Sequence, residues 1–212
     1  MVSRSSRAKR RRKMSTWGIL GCGTMANEMA ETFIKMGHEI YGVSNRTLKK
    51  AEKFAETYGV KHVFKTYEEM LADEKIDIIY IATPHSRHYE NMMQAVKAGK
   101  HVLCEKAITV NAAQLEEVLK LAEKKHVVVR EAMTISHMPL YKKLKERIKE
   151  GAIGKTKMVQ VNFGSNKGYD STNRFFALEA AGGALLDIGV YATAFARTFL
   201  SEMPNTILTT VE

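Results

Sequence analysis

Residues 101–106 read "HVLCEK". Three strand-forming residues and a cysteine run straight into an acid, Glu105, and a base, Lys106. Charge at the tip of an apolar strand calls for a reason, because in α/β proteins strand tips are where ligands bind. Lys106 therefore becomes a candidate to face a bound molecule, and the rest of the chain has to say which one.

The stretch "GILGCGTMANEMA" holds Gly21-Cys22-Gly23-Thr24-Met25-Ala26. This is the G-x-G-x-x-A spacing of a dinucleotide-binding turn. The first glycine permits the tight turn, the second lets backbone approach a pyrophosphate, and the small sixth residue lets the following helix pack closely. The N–H groups that open that helix face the negative charge. The spacing alone is a weak signal. Here a strand-like segment precedes it and a helical pattern follows, which is the context the motif needs.

An acid about 20 residues further on would hold a ribose 2′-hydroxyl. This chain has Ser44-Asn45-Arg46 instead, with Lys49 and Lys50 one turn later. A guanidinium suits a 2′-phosphate, which it holds through paired charge-assisted bonds. The expectation is NADP in preference to NAD.

Two further groups stand out. Thr83-Pro84-His85, with His88 one turn on, follows the most apolar strand, "IDIIYIAT". The histidines read either as contacts to cofactor or substrate, or as helix-capping and surface residues. In "GGALLDIGVY", Asp187 and Tyr191 stand four apart in an otherwise apolar segment, so on one helix they share a face. A tyrosine moves protons if a nearby cation lowers its pKa, and Lys106 is such a cation if this helix packs over the cofactor. The alternative is a hydrogen-bonded structural Asp and a core Tyr.

The elements that must position these residues alternate. Strand patterns at "TWGILG", "HEIYGVSN", "KHVF", "IDIIYIAT", "HVLCEK" and "HVVVRE" are separated by amphipathic helical patterns. Thr66 and Asn111 are expected helix caps, and Gly37 and Gly59 expected helix stops. This rhythm means βαβ units, a parallel sheet and helices on both faces. After about residue 133 the rhythm changes. A long helix in "HMPLYKKLKERIKEG" precedes "KTKMVQVNFGS", which alternates like a strand, then a loop-like stretch, then an apolar helix in "AGGALLDIGVYATAFARTFL". The expected division is a basic tail over 1–14, a dinucleotide-binding domain over 15–133 and a partial substrate domain over 134–212.

Composition sets limits. The net charge is +10, but residues 4–13 supply seven cations and no acid. The 33 cations less these seven leave 26 against 23 acids, a net +3. The tail is expected to be a disordered extension; association with nucleic acid through it is a rival reading. Two cysteines are too few for a disulfide framework, which suits reduced thiols and a cytoplasmic setting. No uninterrupted run of about 18 apolar residues suggests a membrane span.

Taken together, "GCGTMA", "TPHSRHYE", "AVKAGKHVLCEKAITVNAAQ" and "GGALLDIGVY" resemble the Gfo/Idh/MocA oxidoreductases, in the branch of glucose–fructose oxidoreductase and dimeric dihydrodiol dehydrogenase. The resemblance runs from about Thr16 to Leu200. It implies an α/β fold: a Rossmann doubly wound parallel sheet followed by an incomplete α/β substrate domain. It implies hydride transfer between a nicotinamide cofactor, NAD or NADP, and a sugar, polyol or dihydrodiol; the Ser44-Asn45-Arg46 corner favours NADP, with NAD possible. Catalytic roles fall on Lys106, Asp187 and Tyr191. Cofactor contacts fall on Gly21 to Ala26, Ser44, Asn45, Arg46, Thr83, Pro84, His85, His88, Glu105 and Lys106. Where the family has Pro after the lysine, this chain has Ala107, which leaves that turn without its usual stiffener. The partners implied are a small polyhydroxylated substrate and, at full length, a second copy of the chain, with no membrane.

Family members run well beyond residue 212, and only two candidate strands, about 155–164 and 205–211, follow the first domain here. The chain is therefore expected to be a fragment or truncated product. It should bind NADP, turn over little, and expose strand edges to other chains. A cofactor-binding protein without turnover is the alternative function.

Overall fold

The structure is a computed structural model and describes residues 14–210. The expected basic tail, apart from Met14, lies outside the described residues. Six strands form one parallel sheet: β1 (Trp17–Leu20), β2 (Ile40–Ser44), β3 (His62–Phe64), β4 (Ile78–Ile81), β5 (His101–Cys104) and β6 (Val129–Glu131). Their order is β3-β2-β1-β4-β5-β6. Chain order reverses between β1 and β4, and in such sheets the crevice at that point is where a dinucleotide binds.

The register brings the strand ends level. Leu20 pairs with both Ser44 and Ile81, Ser44 with Phe64, Ile81 with Cys104, and Cys104 with Glu131. The next residues along the chain, Gly21, Asn45, Ala82 and Glu105, therefore emerge side by side at one edge.

Both faces of the sheet are covered, so its strands read as nearly continuous apolar runs. Leu20, Ile79, Ile81, Val102 and Cys104 pack with Met92 and Val96 of α4 (His85–Lys97) and with Val118 of α5 (Ala112–Lys125). Ile19, Val43 and Tyr80 face the other way, onto Ala26, Ala30 and Phe33 of α1 (Thr24–Lys35) and Phe54 of α2 (Leu48–Tyr58). Neighbours such as Ile19 and Leu20 are both fully buried, on opposite faces. Each such side chain contributes roughly 1.5–3 kcal/mol.

The expected caps form. Thr66 accepts from the Glu69 N–H at 3.1 Å to open α3 (Tyr67–Ala72), and Asn111 accepts from Gln114 N–H at 3.0 Å to open α5. Gly59 ends α2 with a left-handed φ of 69°. By contrast α1 has no side-chain cap and no acid in its first turn.

Beyond β6 come a 3₁₀ turn (Thr134–His137) and α6 (Pro139–Lys149). The segment from 185 that reads as one α-helix is instead a π-helical stretch (Leu185–Gly189) running into α7 (Val190–Phe199). α6 leans on α7 through Tyr141, whose ring lies 5.8 Å from Phe195 and 5.6 Å from Phe199.

Two expectations fail here. Neither 155–164 nor 205–210 is a strand. The alternating pattern is present, but a strand needs a neighbour to take its N–H and C=O groups, and none pairs with these segments among the described residues. Met158, Phe163, Ile207 and Leu208 consequently stand exposed.

Leu178–Phe199 is, by length and composition, long and apolar enough to cross a membrane, contrary to the sequence expectation. It is not one continuous α-helix, and its Asp187 is tied to the sheet through Lys106, as the site geometry shows.

Candidate functional site

The glycine turn is built from two glycines with different constraints. Gly21 has φ +100°, and a Cβ there would meet the Ala82 carbonyl oxygen at 2.7 Å. Its N–H donates to the Ser44 carbonyl at 2.9 Å, which ties the turn to β2. At Gly23 a Cβ would meet nothing nearer than 4.0 Å. The space there is open, and the uncapped N–H groups of Thr24 and Met25 lie beside it. A pyrophosphate fits that cradle, because it would supply the cap that no side chain provides. Ala26 is fully buried under the turn.

The end of β2 departs from expectation. Ser44 is fully buried and its hydroxyl donates to the Phe64 carbonyl at 3.1 Å, so its side chain serves the sheet and does not reach a ribose. Asn45 is committed in both directions. Its Oδ1 accepts from Cys22 N–H at 3.2 Å, and its Nδ2 donates to the Thr47 carbonyl at 3.0 Å. Asn45 thus staples the glycine turn to the start of α2 and occupies the Cys22 N–H.

Arg46 remains exposed, in a corner whose helix has no acid in its first turn. Tyr67 sits beside the Arg46 backbone N–H and was not foreseen from sequence; burial raises its pKa, Arg46 lowering it in part. Burial pushes the Cys22 thiol up to about 11, against the pull of Lys50.

At the β4 tip, Thr83 accepts from Asn91 through its hydroxyl at 2.9 Å. Pro84 precedes α4 in extended conformation. His88 is fully buried, with Nε2 2.8 Å from the Thr83 carbonyl and Nδ1 2.8 Å from the Ala107 carbonyl. Buried this way, His88 braces two turns and does not present its ring to a cofactor. Burial lowers its pKa, more than its two carbonyl neighbours raise it. His85 is buried at the same tip, 9% exposed. Burial, then Lys106 and Arg174, lower its pKa.

Glu105 is also turned inward. It is 6% exposed, with Oε1 accepting from the Tyr80 hydroxyl at 2.5 Å and Oε2 from the Lys106 N–H at 3.3 Å. Burial raises its pKa. Its carboxylate therefore anchors the strand tip from below. The Lys106–Ala107 peptide is cis.

Lys106 points the other way. Its Nζ donates to the Asp187 carbonyl at 2.5 Å and pairs with Asp187 Oδ1 at 3.0 Å, with side-chain exposures of 12% and 19%. The π-helical geometry fits this contact: widening a turn frees a carbonyl from the helical ladder, and Asp187 offers its carbonyl together with its carboxylate. Burial acts to raise the Asp187 pKa, but Lys106 and Lys167 outweigh it and hold the carboxyl below its usual value.

Tyr191 lies under the same ammonium, with Nζ 5.0 Å from its ring centroid. The expected effect of Lys106 on this phenol is corrected. The Tyr191 pKa is raised, first by burial and then by Glu105, with Thr134 lowering it in part. The ammonium is engaged by Asp187 and reaches the ring face, not the hydroxyl.

Thr134, from the 3₁₀ turn, and Lys167, Arg174 and Phe175, from irregular segments, also gather here and were missed, because such short or irregular stretches carry no periodic signal. Among the described residues no cluster of His, Cys, Asp and Glu could hold a metal ion.

Residues 15–133, more than half the chain, match the family described as an oxidoreductase family with an NAD-binding Rossmann fold. The chain belongs to the Gfo/Idh/MocA oxidoreductases. Residues 141–212 match the C-terminal domain of the same family. A trans-1,2-dihydrobenzene-1,2-diol dehydrogenase from Xenopus tropicalis is 32% identical over 195 residues, covering 90% of this chain and 58% of the relative. A D-xylose 1-dehydrogenase (NADP(+)) from Hypocrea jecorina is 37% identical over 206 residues, covering 82% and 50%. Among solved structures, a 3-ketoreductase from Actinomadura kijaniata, in complex with NADP and TDP-benzene, superposes with a TM-score of 0.75 at 26% identity, covering 88% and 57%. The chain thus spans between half and three-fifths of the length of these relatives.

Proposed function

We propose that this chain carries the cofactor-binding and reacting half of an NADP-preferring oxidoreductase that acts on a carbinol or carbonyl carbon of a sugar, polyol or dihydrodiol. The observation that carries this reading is the Lys106–Asp187 pair beside Tyr191, at the edge of the sheet where the glycine turn also opens. The relatives named as dihydrodiol and D-xylose dehydrogenases support the substrate class.

A bound nicotinamide cofactor supplies or accepts the hydride. Gly23 and the first N–H groups of α1 would hold its pyrophosphate. Arg46, with Lys49 and Lys50 on the next turn, gives positive charge for a 2′-phosphate. Tyr191, which holds its phenolic proton at neutral pH, gives it to the oxygen of a carbonyl substrate; in the reverse direction its phenolate takes the proton from the alcohol. Lys106 binds that oxygen and stabilises charge on it, while Asp187 fixes the ammonium in place.

The test compares NADPH and NADH in fluorescence titrations of the chain and of Arg46→Ala. The expected result is a loss for NADPH alone, corresponding to roughly 1.5–3 kcal/mol for one charge-assisted bond. An equal loss for both cofactors refutes the assignment of Arg46. A screen of sugars, polyols and diols then assigns the substrate.

One observation favours a second reading, cofactor binding without turnover. The segments 155–164 and 205–210 pair with no strand among the described residues, and they stand largely exposed to water. Tight NADPH binding with no turnover across the screen selects this reading.

A further inference from the structure

Phe175 holds two cations. Lys167 Nζ lies 3.1 Å from the centroid of its ring, and Arg174 Cζ lies 4.1 Å from the same centroid. An aromatic face attracts one cation modestly. Two like charges on one ring repel, and the repulsion falls if an anion lies between or beside them.

The protein supplies only part of that anion. Asp187 Oδ2 is 3.4 Å from Lys167, but Oδ1 of the same carboxylate is taken by Lys106. Arg174 has no ion-pair partner among the described residues. The other acids of the strand edge are engaged elsewhere: Glu105 with Tyr80, and Glu131 with the Ile108 N–H at 3.0 Å. Lys106 and Lys167 thus share one carboxylate, and Arg174, on the Phe175 ring beside Lys167, has no acid of its own among the described residues.

The position of this excess charge decides what it serves. Lys167 is linked to Lys106 through Asp187, and Arg174 is near enough to His85 for its charge to be felt there. The cluster therefore lies at the β4 and β5 tips, on the reacting side. The cradle for the cofactor pyrophosphate is at the glycine turn, and the charge for its 2′-phosphate is at Arg46. These two phosphate positions have their own cations or N–H groups, so Lys167 and Arg174 are left for the second reactant.

We propose that Lys167 and Arg174, backed by Phe175, seat an anionic group, carboxylate or phosphate, on the polyhydroxylated substrate. The inference deepens the reading given under Proposed function and rests on it. The guanidinium offers two parallel N–H donors to a carboxylate or phosphate, and the ammonium adds a third contact. The substrate's reacting oxygen then falls toward Lys106 and Tyr191, with its charged end held at Phe175.

The test is calorimetric titration of the NADPH-saturated chain with four probes: D-glucose, D-glucuronate, glucose 6-phosphate and inorganic phosphate. A double variant, Lys167→Met with Arg174→Met, is titrated in parallel. The expected result is that at least one of the two charged sugars binds about tenfold or more tighter than glucose, the size of one charge-assisted contact. In the double variant that preference disappears, while NADPH affinity stays as in the parent. Failure of NADPH to bind overturns the proposed function itself. With NADPH bound, the anion seat alone is refuted by any of three results: no sugar binds, glucose binds as tightly as both charged sugars, or the preference survives in the double variant. Inorganic phosphate binding as tightly as glucose 6-phosphate likewise refutes it, since the sugar would then add nothing.

Discussion

The ring of His88 stands 2.8 Å from the carbonyl oxygen of Ala107, the residue directly after Lys106. The other ring nitrogen reaches the carbonyl of Thr83 at the same distance. One buried side chain on α4 therefore connects the β4 tip to the turn that carries the lysine. It takes over the stiffening that a proline at position 107 would give.

His88→Ala should consequently loosen both turns. The neutral ring carries one N–H, so one of the two carbonyls loses its donor, and an unsatisfied buried group costs roughly 1–3 kcal/mol. Urea unfolding should show a loss in that range or above it. A midpoint equal to that of the parent would mean the two contacts contribute nothing.

His85 and His88 set an acid limit. Burial lowers the pKa of both from the ordinary 6.5. Below pH 6.5 the unfolded chain takes up protons that the folded chain refuses, so stability falls as pH falls from about 6.5 toward the two folded-state values. Above 6.5 their contribution is complete and flat. Thermal melts between pH 8 and 5 should show this, and replacing both histidines should flatten the profile. A parent whose melting temperature rises on acidification through this window contradicts the assignment.

The two glycines of the turn should separate folding from binding. Gly21→Ala places a Cβ 2.7 Å from the Ala82 carbonyl oxygen at a positive φ, so it should destabilise the fold. Gly23→Ala adds a methyl group to open space and should melt with the parent. It should nonetheless weaken NADPH severalfold or more, because the methyl stands where the pyrophosphate approaches. Unchanged NADPH affinity in Gly23→Ala would remove the cradle from the site.

The Lys106–Asp187 pair should couple. Asp187→Asn leaves a largely buried ammonium without its counter-charge and should cost about 3 kcal/mol. Adding Lys106→Met should recover part of that loss. The interaction energy from the double-mutant cycle should lie in the range of about 0.5–3 kcal/mol. Additive losses would show that the 3.0 Å contact carries no energy.

Tyr191→Phe, in a form of the protein with measurable turnover, should keep NADPH affinity and lose roughly 10²–10⁴-fold in rate. Thr134→Val removes the hydroxyl that pulls the Tyr191 pKa down, so any alkaline limb of the rate profile belonging to Tyr191 should move to higher pH. A Phe variant as fast as the parent makes Tyr191 a packing residue.

The nucleotide half could be read along the chain because its signals are local. Apolar runs, caps at Thr66 and Asn111, and the glycine spacing all lie within a few residues of what they determine. The bonds that Ser44, Asn45 and Glu105 make within the protein were not legible for the opposite reason. Their partners, Phe64, Cys22 and Tyr80, stand 20 to 25 residues away, and nothing local shows that the polar group is already satisfied. Spacing placed Asp187 and Tyr191 on one α-helix. The π-helical stretch at Leu185–Gly189 changes the path, yet both still reach Lys106. The alternating residues of 155–164 carry the pattern of a strand without the neighbour that would make one.

Lys106 is grasped at two points by one residue, through the carbonyl and the carboxylate of Asp187. A free lysine side chain samples many rotamers, and fixing one carries an entropy cost of about 2 kcal/mol. In this fold that freedom is already lost before any substrate arrives. Association then needs only an exchange of oxygens around a stationary nitrogen, and the affinity of an incoming hydroxyl is not diminished by immobilising the group that receives it.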